Sequence, residues 1–279
     1  MIISELINLG SKILKQNNNP SHLLDSELIL SKVLNKKREN LLIMDEKKVT
    51  SKSIKNFKKL IKRRFKNEPL AYIFNGKEFW SKNFFIDQGA LIPRPETELL
   101  VEKTIKHFQG KNPFILDAGT GSGCILLSLL SEMKQSRGIG VDISRKAIDL
   151  AFKNAKKFNL AGRAKFYKRA VNEIYGYKFD LIVSNPPYIC TNQIKNLSED
   201  IRKYEPKAAL DGGNDGLDVI KKVIYKSKTI LKKKGILALE IGHGQYKEVS
   251  QILKLQGFKD RLLIKDYQDN IRCILTMLN

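Results

Sequence analysis

Asn185-Pro186-Pro187-Tyr188 places two kinds of hydrogen-bond acceptor at one point of the chain. One is the side-chain oxygen of Asn185, and the other is the backbone carbonyl of Pro186. Two successive prolines lack backbone donors and hold the chain extended, so a strand that enters the motif must stop there. No sheet neighbour then needs to occupy that carbonyl. A planar NH2 group carries two hydrogens in its own plane. An acceptor for each fixes the nitrogen and leaves its face open to an electrophile. Tyr188 is available to stack on the same plane.

The elements that must position this motif are legible around it. Phe179 to Ser184 is a short apolar run, read as a buried strand leading into Asn185. Phe114 to Ala118 is another strand. It is followed by Gly119-Thr120-Gly121-Ser122-Gly123 and by a helix from Cys124 to Met133. Strand, glycine-rich turn and helix form the first unit of a nucleotide-binding α/β sheet. The spacing is G-x-G-x-G rather than G-x-G-x-x-G, and the glycines let a ligand lie against the backbone. Gly138 to Asp142 is the next strand. Its terminal carboxylate, 19 residues after Gly123, can take both hydroxyls of a ribose. Ser144 is expected to cap the helix that follows. Ala164 to Arg169 is a third strand, and an adenine is expected near Ala170, Val171 and Asn172. These positions all fall at carboxyl ends of parallel strands, where open α/β sheets bind ligands.

The rest of the domain reads as a segment of loop and short helix from Ile194 to Leu210, expected to be mobile, then a turn cluster at Asp211 to Gly216. A helix from Leu217 to Lys232, a strand from Gly235 to Ile241 and a helix from Tyr246 to Gln256 follow. Two closing strands, Arg261 to Ile264 and Arg272 to Met277, are joined through Asp266 to Asn270.

Residues 1–68 read as a small bundle of three helices. Ile3, Leu6, Ile7 and Leu14 share one face of the first. Ser21 is expected to cap the second, in which Leu24 and Leu28, Ile29 and Val33, and Leu30 and Leu34 are i,i+4 pairs. In the third, Ser51 to Lys66, the stripe is Ile54, Phe57, Ile61 and Phe65, with lysines and arginines elsewhere. Residues 69–92 read as an aromatic β-hairpin linker turning at Asn75-Gly76, with Trp80 in its core. Residues 93–279 form the α/β domain. Leu91 to Glu98 opens it, with Pro95, Glu96 and Glu98 suited to a helix start.

With 279 residues and 42% hydrophobic content, the chain can bury a sizeable core and an appended domain. Lys and Arg number 51 against 29 Asp and Glu, a net charge of +22. That favours a polyanion or an acidic protein, or reflects a lysine-rich composition with solvated faces; charge does not choose between them. The three cysteines match neither a disulfide framework nor a zinc pattern, so no metal is expected. No basic leader precedes an apolar stretch, and no apolar run approaches roughly 18 residues, so a cytoplasmic protein with no membrane partner is expected.

The Asn185 to Tyr188 pattern resembles the active-site signature of methyltransferases that act on a planar nitrogen, either a base amine or a glutamine amide. More of the chain resembles the protein-(glutamine-N5) methyltransferases of class-I peptide-chain release factors. That resemblance rests on Asp25 to Leu30, Glu68 to Ile73, Lys77 to Trp80, Leu91 to Glu98, Asp117 to Gly123, Val183 to Ile189, Glu205-Pro206, Gly213 to Leu217 and Glu240-Ile241-Gly242. It implies a Rossmann-like S-adenosylmethionine-dependent methyltransferase sheet with an N-terminal helical domain that recognises the release factor. It also implies that Gly119, Thr120, Gly121, Ser122, Gly123, Asp142, Ala170 and Asn185 hold S-adenosylmethionine. Asn185, Pro186, Pro187 and Tyr188 would bind substrate and carry the chemistry. The target would be the glutamine of a Gly-Gly-Gln loop, and the enzyme a monomer that needs no nucleic acid. The chain departs from the family at Ala170, where an aromatic residue often stands, so a wall or backbone contact is expected there and weaker cofactor binding. Another protein glutamine, as in a ribosomal protein, or an adenine amine in nucleic acid would suit the same motif.

Overall fold

The computed structural model describes residues 1–266 and 268–279, the side chains of Asp260 and Arg261 excepted. Tyr267, expected in the last turn, lies outside the described residues. The chain divides into two compact units, Met1–Asn75 with Glu199–Tyr204, and Gly76–Ser198 with Glu205–Asn279.

The first unit is helical: α1 (Ile3–Lys15), α2 (His22–Leu34), α3 (Arg38–Ile43), α4 (Ser51–Phe65) and α5 (Leu70–Ile73). Its core joins Leu6 and Leu14 of α1 to Ile29 and Leu30 of α2 and to Phe57 and Ile61 of α4. Gly10 lets α1 approach closely, since a Cβ there would stand 2.7 Å from the Phe57 ring and 2.9 Å from Ile61. Of the pairs expected on α2, Ile29 and Leu30 are buried with Val33 and Leu34 packed against the same core, but Leu24 is not. Leu24 is 43% exposed, whereas Asp25, Ser26 and Glu27 are buried. Partners make this tolerable: Asp25 accepts from Arg64 Nε at 2.6 Å and from Asn19 Nδ2 at 2.9 Å, and Ser26 donates to the Ile7 carbonyl at 2.8 Å. Ser21 does not cap α2. Its hydroxyl bonds with Asn19 and Asp25 instead. Phe65, the last residue of the expected α4 stripe, is 37% exposed, and α3 was not anticipated.

The hairpin of the second unit, β1 (Lys77–Phe79) with β2 (Lys82–Phe84), turns at Trp80-Ser81 and not at Asn75-Gly76. Both turn residues have positive φ, 50° and 54°. Pro69 explains the shift. Its φ of −58° starts the single turn of α5, whose Ile73 N–H donates to the Pro69 carbonyl, and Asn75 at φ 52° follows that turn. Trp80 is half-buried, and its indole N–H donates to Glu132 at 3.1 Å.

The α/β body runs α6 (Thr97–His107), β3 (Phe114–Ala118), α7 (Cys124–Glu132), β4 (Arg137–Asp142), α8 (Arg145–Lys157), β5 (Ala164–Lys168) and β6 (Phe179–Ser184). It continues after α9 (Glu199–Tyr204) with α10 (Asp218–Ile230), β7 (Leu231–Glu240), α11 (Tyr246–Leu255), β8 (Phe258–Lys265) and β9 (Ile271–Leu278). The described residues form a seven-stranded sheet in the order β5-β4-β3-β6-β7-β9-β8. The first five strands are parallel, and β9 and β8 close the edge antiparallel. Leu181, Ile182 and Val183 of β6 are wholly buried, each worth roughly 1.5–3 kcal/mol. The strand order reverses at β3, which lies between β4 and β6. The turns after these three strands therefore open onto one crevice. Where a loop with a short helix was expected from Ile194 to Leu210, the chain forms 3-10 turns at Thr191–Asn196 and Lys207–Ala209 as well as α9. By its contacts α9 belongs to the helical unit: Tyr204 donates to the Lys66 carbonyl at 2.7 Å, and Asn67 to Glu199 at 2.7 Å.

Candidate active site

Gly119, Gly121 and Gly123 have φ of 77°, 53° and 80°, a region that only glycine enters without strain. Their surroundings differ. A Cβ on Gly123 would meet Leu127 at 3.1 Å and Ala151 at 3.2 Å, so this glycine serves packing. A Cβ on Gly119 would meet nothing within 4 Å, and on Gly121 only Ala90 at 4.0 Å, so the turn borders open space.

Two acids hold the turn. Asp117 is fully buried at the end of β3, and its Oδ2 accepts from the Thr120 hydroxyl at 2.7 Å. Burial, only partly offset by that bond, pushes its carboxyl up to about 7. Asp142, at the tip of β4, accepts from the Gly121 N–H at 3.0 Å and from the Ser144 N–H at 2.9 Å. Burial raises its carboxyl too. Ser144 caps α8 as expected, accepting from the Ala147 N–H at 3.2 Å.

Asn185 follows β6 and is half-buried. Its Nδ2 donates to Thr97 Oγ1 at 3.1 Å, and Thr97 donates to Glu240 Oε2 at 2.7 Å. Glu240 ends β7, has no exposed surface, and is pushed by burial up to about 7. Tyr188 turns toward the same acid: its hydroxyl lies 3.4 Å from Glu240 Oε1 and accepts from Arg272 Nη2 at 3.1 Å. The Arg272 guanidinium also lies over the Tyr188 ring, 5.4 Å from its centroid. The Tyr188 carbonyl accepts from Gln245 Nε2 at 3.0 Å. No donor among the described residues is bonded to the Pro186 carbonyl.

A cavity of about 260 Å³ joins these parts. Gly119, Thr120, Gly121, Ser122 and Asp142 line it, together with Ala170, Val171 and Asn172 and with Asn185, Pro186 and Pro187. Gly123 and Tyr188, named with them from sequence, do not line it. Gly123 is packed against Leu127 of α7 and Ala151 of α8, and the Tyr188 side chain engages Glu240 and Arg272. Leu91, Pro93, Arg94 and Thr97, from the segment that opens the α/β domain, are among the other residues of the lining. Glu205 holds that segment, accepting from the Ile92 N–H at 3.2 Å and from Arg94 Nη2 at 2.6 Å. Sequence reading placed Thr97, Glu205 and Glu240 in segments that carry the resemblance but gave no individual role to them or to Arg272. The available signal was an acid, Glu240, at the end of an apolar run that its neighbours mark as a buried strand.

Among the described residues no helix is long and apolar enough to cross a membrane, and no cluster of side chains is arranged to hold a metal ion.

Residues 5–74 match the PrmC N-terminal domain, and residues 110–252 match a methyltransferase domain. The chain is 37% identical over 281 residues to the release factor glutamine methyltransferase of Clostridium acetobutylicum, covering 99% of both. It is 38% identical over 280 residues to the protein so named in Clostridium botulinum, covering 98% of both. Among solved structures, the ribosomal protein L11 methylase of Lactobacillus delbrueckii subsp. bulgaricus superposes with a TM-score of 0.51 at 19% identity. The match covers 67% of this chain and 81% of that one, a likeness of fold.

Proposed function

The chain belongs to the release factor glutamine methyltransferase family, and from that premise we propose its reaction: transfer of a methyl group from S-adenosylmethionine to the side-chain nitrogen (N5) of the glutamine in the Gly-Gly-Gln loop of class-I release factors. That it is a protein glutamine methyltransferase follows from the family; the loop, the donor and the residue roles are our reading. In this reading the helical unit recognises the release factor, and the enzyme works as a cytoplasmic monomer without nucleic acid.

The observation that supports it best is the shared cavity. Strands β3 and β6 are neighbours, so the glycine turn, Asp142 and Asn185 border one space. The residues suit the donor. Gly119 and Gly121 leave the room that a Cβ would fill, and the Asp142 oxygens keep lone pairs for ribose hydroxyls. With no aromatic at Ala170, the adenine is held by the apolar walls of Ala170, Val171 and Ile143. When bound, S-adenosylmethionine supplies an activated methyl group on a sulfonium. What remains for the protein is to orient the acceptor.

An amide nitrogen is a weak nucleophile because its lone pair is delocalised. Asn185 Oδ1 and the Pro186 carbonyl accept its two hydrogens, align its face, and favour the positive charge that develops on nitrogen. The methylated nitrogen is acidic enough to release its proton to water, so no strong base is required. His22, His107 and His243 lie outside the cavity lining.

The test is transfer of labelled methyl from S-adenosylmethionine to a purified release factor, with a Gln→Ala loop variant as control. Label on the unaltered protein alone supports the reading. Label on neither, with the cofactor bound, would redirect it to ribosomal proteins or nucleic acid.

A further inference from the structure

We propose that Glu240, acting through Thr97, is a positioning residue that decides which way the Asn185 amide faces and so presents an oxygen, not an NH2, to the incoming substrate amide. The inference rests on the functional reading above and extends it to residues outside the Asn185 to Tyr188 motif.

An ionised carboxylate only accepts, so the single hydroxyl proton of Thr97 goes to Glu240 Oε2, 2.7 Å away. Thr97 Oγ1 then has only lone pairs left for its neighbour 3.1 Å away on Asn185. That neighbour must be the NH2 end. A planar amide held by its nitrogen directs its oxygen the other way. Such assignments come from the network, and here the network leaves one choice. A second chain ends on the same acid. Arg272 donates to the Tyr188 hydroxyl at 3.1 Å, which leaves the Tyr188 proton for Glu240 Oε1 at 3.4 Å. Glu240 is thus the terminal acceptor for both ends of the Asn-Pro-Pro-Tyr motif.

Protonation of Glu240 would undo this. A neutral acid can donate to Thr97, the Thr97 proton can then turn to Asn185 Oδ1, and the amide flips. Its NH2 would then face the substrate's NH2, donor against donor. The groups around Glu240 are Arg272 and Cys273 on β9, Tyr188 after β6, Glu96 and Thr97 at the start of α6, and Cys124 on α7. Arg272 favours the charged form and Glu96 opposes it. Burial outweighs both and places the carboxyl at about 7, so the device is sensitive near neutrality.

The experiment compares wild type with Thr97→Val, Thr97→Ser and Glu240→Gln. It measures methyl transfer to release factor at saturating S-adenosylmethionine from pH 5.5 to 8.5, cofactor affinity by calorimetry, and melting. In Thr97→Val, kcat is expected to fall about 10–100-fold, with the release-factor KM and the cofactor Kd within about twofold. Thr97→Ser, which restores the hydroxyl, is expected to recover kcat to within about threefold. Wild-type kcat should fall as pH drops through about 7, and Glu240→Gln should lose that limb. Wild-type kcat in a folded Thr97→Val would overturn the proposal. Should Thr97→Val not fold, the pH profiles decide: a flat wild-type profile, or an unchanged acid limb in Glu240→Gln, would equally overturn it. Wild type that transfers no methyl to release factor defeats the functional reading instead, a separate outcome.

Discussion

The amide nitrogen of Gly121 lies 3.0 Å from the Asp142 carboxylate, so the glycine turn after β3 and the acid at the tip of β4 form one unit. Asp142 orders the turn while facing the cavity. Asp142→Asn keeps the size and removes one acceptor. It is expected to weaken S-adenosylmethionine binding about tenfold, or about 1.4 kcal/mol. Calorimetry on the purified variant checks this, and an affinity within twofold of wild type would contradict the assignment.

Asn185→Ala removes the proposed acceptor of one substrate hydrogen and leaves the glycine turn and Asp142 untouched. Turnover on release factor should drop at least about a hundredfold while cofactor affinity changes little. The two effects separate in a kinetic assay paired with calorimetry. Near-normal turnover would sink the mechanism.

Gly216 has φ 74°, and a Cβ on it would stand 2.5 Å from the Tyr188 carbonyl oxygen and 2.7 Å from Gln245 Nε2. Gly216→Ala therefore combines backbone strain with a clash against the segment that carries the motif. A loss of about 2–3 kcal/mol of stability is expected, with reduced turnover. Urea denaturation measures the first. An unchanged midpoint would mean that the loop relaxes freely.

Asp117 makes the protein pH-sensitive in a defined direction. Burial holds its carboxyl at about 7 in the folded chain, well above the ordinary carboxylate range, so the native state holds the proton more tightly. The stability this contributes is complete below about pH 4 and is lost as pH rises through 7. Asp117→Asn has no proton to lose. The stability of wild type relative to this variant should decline by about 3 kcal/mol between pH 5 and pH 8. Denaturation series at the two pH values test it, and a constant difference would refute it.

Much of this protein is written in consecutive residues. Apolar runs bounded by Gly, Pro and Asp mark β3, β4 and β6. Gly119 to Gly123 records a turn that must take positive φ beside open space, and Pro186-Pro187 records where β6 must end. Each is a short-range steric demand, readable without partners. The chemistry proposed for the motif was read from the same residues. The hairpin shows where local signals compete: Asn75-Gly76 has the residues of a turn, but Pro69 starts α5 and Asn75 takes its positive φ just after it, leaving the reversal to Trp80-Ser81. On α2, hydrophobic spacing favoured Leu24, whereas Arg64, 39 residues from Asp25, makes burial of that acid tolerable. The orientation of Asn185 depends on Thr97, 88 residues away, and Thr97 on Glu240, a further 143. Only sheet order, which sets β7 beside β6 and β9 beside β7, brings Glu240 and Arg272 up to Tyr188. The sequence alone determined which groups are candidates to bind a planar nitrogen and a nucleotide. The tertiary structure alone decided which way they face, because that direction is set by donors and acceptors far apart in the chain.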